Sequence, residues 1–310
     1  MWIKKESESE NKYESGVMQH NVIVTVPVYR FEMSADEESS FRRTVSVFGG
    51  KHPIAVFAPE GLDLINYTSI CPELIIERFP AEFFRSIGDY SRLLLSEEFY
   101  QRFSLYKWLL ICQLDVWVFR DELDFWCKGN FDFIGAPISA HWDPDRDCSL
   151  RGIVGNGGFS LRRISVMLSV LQAGDVPMYS RKMLWKFCVQ HFRKGNIFRL
   201  LITLLRLVGV GNKRRICLNI LRSQGACEDM VFRMIENSGI LPTLVLPSLE
   251  EAAKFALDGE NVWKYFKLSD CRPPFALHAW KRTEGREFME WLKTNPEKSV
   301  LKKLTGIAGN

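Results

Sequence analysis

No stretch of this 310-residue chain approaches the ~20 consecutive apolar residues needed to cross a bilayer. None of its eight cysteines forms a C-x-x-C pair, and several lie inside apolar runs. Neither a zinc cage nor a disulfide framework is therefore indicated, and reduced thiols in a cytoplasmic protein are the expectation. The first twenty residues, with Lys4-Lys5-Glu6-Ser7-Glu8-Ser9-Glu10, lack the apolar centre of a signal peptide and read as a polar tail over 1–20. Phosphate-cradling glycine motifs are missing as well, both the P-loop and the dinucleotide fingerprint. The most telling gap is one of charge. Between Val176 and Cys227 there is no Asp or Glu at all, against eleven Lys and Arg. Since the whole chain is only +4, the remainder is net acidic. A single basic segment on an acidic body points to a localised anionic partner. Its positive charges are interleaved with leucines rather than exposed aromatics, which argues against nucleic acid.

What is present is ordinary for a globular protein with a substantial core, at 46% apolar and 25% charged residues. Asn21 to Val28 reads as a first strand, rich in β-branched residues. Ser39 to Phe48 is a plausible helix that stops at Gly49-Gly50. Ile54 to Ala58 and Leu74 to Arg78 are further strands, and Tyr90 to Phe103 has helical character. Phe131 to Pro137 is another strand, and Leu244 to Leu246 a later one. Alternation of strands and helices at this length predicts a mostly parallel sheet covered on both faces. His141 to Arg151 reads as a mobile polar loop.

Trp108 to Phe119 is an apolar run with one charge, Asp115. A carboxylate is expensive to bury unless it is paired or coordinated. In open α/β sheets, ligands sit at the carboxyl ends of strands. Asp115 is thus a candidate for a metal or a ligand hydroxyl, or else a cap for the turn at Asp121-Glu122. Gly155-Asn156-Gly157-Gly158-Phe159-Ser160-Leu161-Arg162 feeds a helix from about Ile164 to Gln172. Its glycines let a ligand or another backbone approach closely, or simply serve a tight strand entry. Glu228-Asp229 opens a helix, where acids are favoured by the dipole alone. His278 lies between apolar residues, as a core histidine would. In the basic segment, Ile197 to Val208 has a narrow polar stripe of Arg199, Thr203 and Arg206 and a very wide apolar face. Such a helix is buried in protein or lies in a membrane interface.

In this order, several segments make the chain resemble the GT-A glycosyltransferases. They are Tyr90-Ser91-Arg92-Leu93-Leu94-Leu95-Ser96, Gln113-Leu114-Asp115, Ile134-Gly135-Ala136-Pro137, the Gly155–Arg162 segment, Glu228-Asp229 and His278-Ala279-Trp280. The chain looks closer still to a family of largely uncharacterised glycosyltransferase-like proteins from bacteria and fungi. The resemblance runs from about Asn21 to Lys281. It implies an α/β, Rossmann-like GT-A fold, with a mostly parallel central sheet and helices on both faces. That fold would form a single catalytic domain over 21–310, with 176–227 a basic helical insertion.

The resemblance also implies chemistry. Asp115 looks like the last acid of the D-x-D motif that holds Mn2+, or Mg2+, on a nucleotide diphosphate, and His278 like the late histidine completing that shell. Gln113 stands where the first acid would be. A neutral amide binds a metal less strongly, which leaves Gln113 for the nucleotide ribose, with Leu114 beside it. Val26, Pro27 and Tyr29 would border the base, Arg92 the diphosphate, and Asn156, Gly157 and Gly158 the sugar. Asp229 looks like the general base of an inverting transfer, and Glu228 either orients the acceptor or is itself the base. The donor would be a nucleotide sugar, UDP-linked first, and the acceptor a saccharide or lipid-linked glycan. The 176–227 segment would make peripheral contact with the inner face of the membrane. Two rival readings are a GT-A-like membrane adaptor that has lost its chemistry and a metal-dependent nucleotidyltransferase or phosphohydrolase. The latter would need a denser cluster of acids.

Overall fold

The computed structural model describes residues 21–138, 153–173, 175–177, 181–207, 215–217, 226–236 and 244–295. The expected polar tail over 1–20, the His141 to Arg151 loop and Lys213-Arg214 lie outside the described residues.

Strand β1 (Val22–Pro27) is buried along its whole length. Its alternation sends Val22, Val24 and Val26 into one core and Ile23 into another. Helix α1 (Ala35–Phe48) begins four residues earlier than the apolar pattern predicts. Ser34 supplies the reason: its hydroxyl accepts from the Glu37 amide at 3.3 Å, while Glu37 accepts from the Ser34 amide at 2.8 Å. This reciprocal capping satisfies amides that a helix start otherwise leaves without partners. Strands β2 (Ile54–Pro59) and β3 (Ile75–Phe79) follow. The expected Tyr90 to Phe103 helix is two pieces, α2 (Ile87–Leu94) and α3 (Glu97–Arg102). Ser96 divides them: its hydroxyl donates back to the Leu93 carbonyl at 2.7 Å and accepts from the Phe99 amide at 3.2 Å.

Strand β4 (Trp108–Cys112) is followed by short β5 (Trp117–Val118), then β6 (Phe133–Gly135), β7 (Phe159–Arg163) and helix α4 (Ile164–Gln172). The central sheet has the order β3-β2-β1-β4-β7-β6. β3, β2, β1 and β4 are mutually parallel. β7 runs antiparallel to both of its neighbours, so Phe159 lies opposite Cys112 and Ser160 opposite Gly135. The glycine turn before β7 is thereby delivered to the carboxyl ends of β4 and β6.

Helices cover both faces of this mixed α/β sheet. Phe41 and Phe48 of α1 pack with Phe255 and Phe275 on one face. Leu93, Phe99, Met167 and Phe232 fill the other. Leu244–Leu246 forms no ladder; Val245 is instead tied to Asp132, whose amide donates to the Val245 carbonyl at 2.8 Å and whose carboxylate accepts from the Val245 amide at 3.0 Å.

After α4, strand β8 (Asp175–Pro177) pairs antiparallel with β9 (Arg215–Cys217), Val176 facing Ile216. Between them stand helices α5 (Arg181–Arg193) and α6 (Ile197–Leu207), which pack on each other. Helix α7 (Glu228–Glu236) leads on to a small sheet of β10 (Ala256–Asp258), β11 (Ala276–His278) and β5. β10 and β11 are parallel, with Asp258 beside His278. Helix α8 (Thr283–Thr294) packs outside that sheet through Phe288 and Leu292.

Candidate active site

Asp115 is not inside a strand. β4 ends at Cys112, and Asp115 stands in the turn beyond it with its side chain half exposed. The turn is closed by the Val116 amide donating to the Gln113 carbonyl at 3.1 Å. The burial cost expected of a charge in an apolar run is thus avoided, and the carboxylate sits at the carboxyl edge of the sheet. Leu114, next to it, is 6% exposed and belongs to the core. Only its backbone is free to meet a ligand.

His278, the last residue of β11, turns its imidazole toward this carboxylate. Nε2 lies 3.5 Å from Asp115 Oδ1, and Nδ1 lies 2.8 Å from Asp258 Oδ2. Burial alone would lower the imidazole pKa. The Asp258 hydrogen bond and the Asp115 charge outweigh it, and the pKa is raised. Asp258 also accepts from Asn156 Nδ2 at 3.1 Å, and Asn156 Oδ1 accepts from the Gly158 amide at 2.9 Å. One chain of contacts therefore joins Asp115, His278, Asp258, Asn156 and Gly158. Asp258 was not foreseen from the sequence. Its only local signal is an acid ending the Ala256-Leu257-Asp258 strand just before a glycine.

The glycines have a measurable steric reason. A Cβ on Gly158 would meet His278 Nε2 and, at 2.7 Å, Gln113 Oε1. The Gln113 amide in turn donates to the Gly158 carbonyl at 2.9 Å. Gly158→Ala is expected to destabilise the protein by about 1–3 kcal/mol through overpacking, read as a fall in Tm. An unchanged Tm would mean that the imidazole swings aside freely.

On the other side of the glycine pair lies a buried ion pair. A Cβ on Gly157 would collide with Glu228 Oε1. Glu228 Oε1 is 3.0 Å from Arg162 Nη2, and Glu228 Oε2 accepts from Ser91 Oγ at 3.1 Å. Arg162 is completely buried; its Nη1 donates to Tyr100 at 3.1 Å and its Nε to Ser160 at 3.0 Å. The neighbouring Asp229 remains partly accessible. Burial, with the Glu228 charge beside it, pushes the Asp229 carboxyl up to about 6, although the Met230 and Gly157 amides pull the other way.

Val26 and Pro27 end β1, which runs beside β4, placing them at the same sheet edge as Asp115. Both are buried. Tyr29 is half exposed, and burial together with the Glu37 and Asp115 charges raises its pKa. Arg92 is engaged elsewhere: it lies 3.3 Å from Asp89, 3.7 Å from Glu82 and over the Phe83 ring. None of these partners belongs to the Asp115–His278 cluster.

The family described as "Protein of unknown function (DUF5672)" matches residues 73–278. The chain belongs to this family. The matched span of the DUF5672 chain takes in Asp115, the glycine pair, Asp229 and Asp258, and ends on His278. A search of the curated proteins finds no match. Among solved structures, the DUF5672 chain is similar to Core-mannan synthase A from Aspergillus fumigatus in an Mn/GDP form. That likeness has 12% identity and a TM-score of 0.37, over 50% of this chain and 63% of the synthase. The chain is also similar to the galactosyltransferase LgtC in complex with donor and acceptor sugar analogs, at 12% identity and a TM-score of 0.45 over 88% of this chain and 95% of that one. A third is the mannosyltransferase PcManGT from Pyrobaculum calidifontis with GDP-Man and Mn2+, at 14% identity and a TM-score of 0.34, over 52% of this chain and 49% of that one.

Among the described residues, no three His, Cys, Asp or Glu side chains are grouped to hold a metal ion by themselves. Asp115 and His278 offer two donors.

Proposed function

We propose that the chain is a metal-dependent, inverting glycosyltransferase that moves a sugar from a nucleotide diphosphate, UDP first, to a saccharide or lipid-linked glycan. The observation that carries this reading is the arrangement about the glycine pair. Gly158 faces His278 and Gln113, and Gly157 faces Glu228, the neighbour of Asp229. A diphosphate site and a proton acceptor thus flank a backbone stripped of side chains.

The donor chemistry fits a divalent cation that phosphate oxygens and water complete. His278 holds its Nδ1 on Asp258 and directs Nε2 to Asp115, the arrangement in which an outer carboxylate orients a metal-binding imidazole. Mixed imidazole and carboxylate ligands favour Mn2+ over Mg2+. When bound, the cation would neutralise charge on the departing diphosphate. Gln113 is assigned to the nucleotide, and Val26, Pro27 and Tyr29 border the base. Asn156, Gly157 and Gly158 line the sugar. Asp229 takes the acceptor hydroxyl's proton as that oxygen bonds to the anomeric carbon from the face opposite the diphosphate. The carbon–oxygen bond to the diphosphate breaks, and the product sugar has the opposite anomeric configuration. Glu228, locked to Arg162, positions Asp229. The working location is the cytoplasmic face of a membrane, with 176–227 in peripheral contact.

The test is thermal unfolding with UDP, GDP and CMP, each with and without Mn2+. A nucleotide at ~100 times its dissociation constant adds ~2.7 kcal/mol to stability. A Mn2+-dependent rise in Tm with one nucleotide, lost in Asp115→Asn, is expected. No rise with any nucleotide would favour the inactive adaptor, and Gln113 in place of the first acid is the feature that supports that rival.

A further inference from the structure

Helices α5 and α6 each turn a row of apolar side chains outward. On α6 the polar residue Thr203 is only 4% exposed, its hydroxyl turned back to the Arg199 carbonyl at 2.7 Å. The apolar residues face outward instead: Ile197 is 78% exposed, Phe198 74%, Leu201 56%, and Leu204 and Leu205 43% each. At about 100° per residue these five fall on one arc of about 120°. On α5, Trp185, Val189 and Phe192 repeat the pattern at i, i+4 and i+7, and all three are exposed. The turn between the helices is well defined, since Asn196 Oδ1 caps α6 by accepting from the Arg199 amide at 3.2 Å. The arc is therefore a built surface. Exposed apolar surface of this extent marks an interaction site.

The charge around the arc selects its occupant. Arg193 and Lys194 are exposed beside it, and the whole span from Val176 to Cys227 contains no acid. A second copy of the chain, meeting this surface through a two-fold axis, would set those cations against themselves. A layer with an apolar interior and an anionic surface satisfies both features at once. No helix among the described residues is long and apolar enough to cross a membrane, so the contact lies in the interface.

We propose that the α5–α6 hairpin docks on an anionic lipid surface. The Ile197, Phe198, Leu201 and Leu205 side chains enter the acyl boundary, while Arg193 and Lys194 engage the headgroups. This specifies the face used by the peripheral contact proposed above, and it stands whether or not sugar transfer is the activity.

The experiment is co-sedimentation of the full chain with phosphatidylcholine vesicles, with and without phosphatidylglycerol, at low and high salt. Hydrogen exchange of residues 181–207 is followed in the same samples. The expected result is binding to the anionic vesicles that weakens with salt, protection confined to α5–α6, and about a tenfold loss of affinity in Phe198→Ser/Leu201→Ser. The double substitution makes the surface more polar and is expected to leave Tm unchanged. If it does not fold, the exchange pattern of the unaltered chain decides. Equal binding to neutral vesicles, no protection of α5–α6, or undiminished binding by a folded double variant would overturn the proposal. So would a dimer in sedimentation equilibrium that the double substitution dissociates without any vesicle binding. The Mn2+–nucleotide shift, measured on the same protein, reports separately on sugar transfer.

Discussion

Asp229→Asn is expected to cut turnover by about 10²–10⁴-fold, the usual worth of a positioned general base, while the protein stays folded. The amide keeps the shape and much of the hydrogen bonding of the carboxylate but cannot accept the acceptor's proton. The pH dependence gives the same assignment a second reading. Burial and the Glu228 charge raise the Asp229 carboxyl from its ordinary value to about 6. A base works only when deprotonated, so kcat/KM is expected to rise with pH through about 6 and level off above it. The rising limb should vanish in Asp229→Asn, leaving only a low, flat residual rate. Full activity in that variant, or a product that keeps the donor's anomeric configuration, would remove Asp229 from this role.

Glu228→Ala is expected to do the opposite, unfolding rather than merely disabling the protein. Arg162 is completely buried, and Glu228 is its only carboxylate partner within 4.0 Å among the described residues. Removing one member of a buried pair leaves the other charge stranded, at a cost of about 3–5 kcal/mol. Arg162 cannot escape by losing its proton: a guanidinium is too basic to give it up in a protein, and with Glu228 gone Tyr100 still raises its pKa against the burial that lowers it. A fall in the denaturant midpoint at constant m-value measures the loss. Glu228→Gln keeps an acceptor for Ser91 and should cost less. A Glu228→Ala protein that is inactive yet as stable as the parent would return Glu228 to direct contact with the acceptor.

These two adjacent residues show how far sequence reasoning reaches. Glu228-Asp229 was singled out through the family resemblance, since two acids at a helix start are favoured by the dipole alone. The proposed division of labour between them rests on Arg162, 66 residues away, and no local pattern contains that pairing. Strands β1, β2 and β3 were legible from β-branched runs; β7 was not, because its residues read chiefly as a glycine segment feeding a helix. The break between α2 and α3 was not, since the apolar spacing continues across Ser96 and only its hydroxyl bonds end the first helix. Asp115 was found for a reason that the fold replaces: it is not a charge made tolerable inside a strand but one placed just past the strand's end. Asp258 stayed invisible because its meaning comes from the pairing of β10 with β11, which sets it beside His278 from 20 residues away.

The pairing of β8 with β9 brings the two ends of the basic excursion to neighbouring strands, about 5 Å apart. The rest of the chain therefore meets a fixed doorway, whatever lies behind it. Residues between the two strands can be lengthened, shortened or recoloured in charge without changing the span that the main sheet must bridge. Attachment and catalysis are in that sense separately inheritable. On the reading proposed above, descendants of one such body can be readdressed to different surfaces by exchanging what is strung between Pro177 and Arg215.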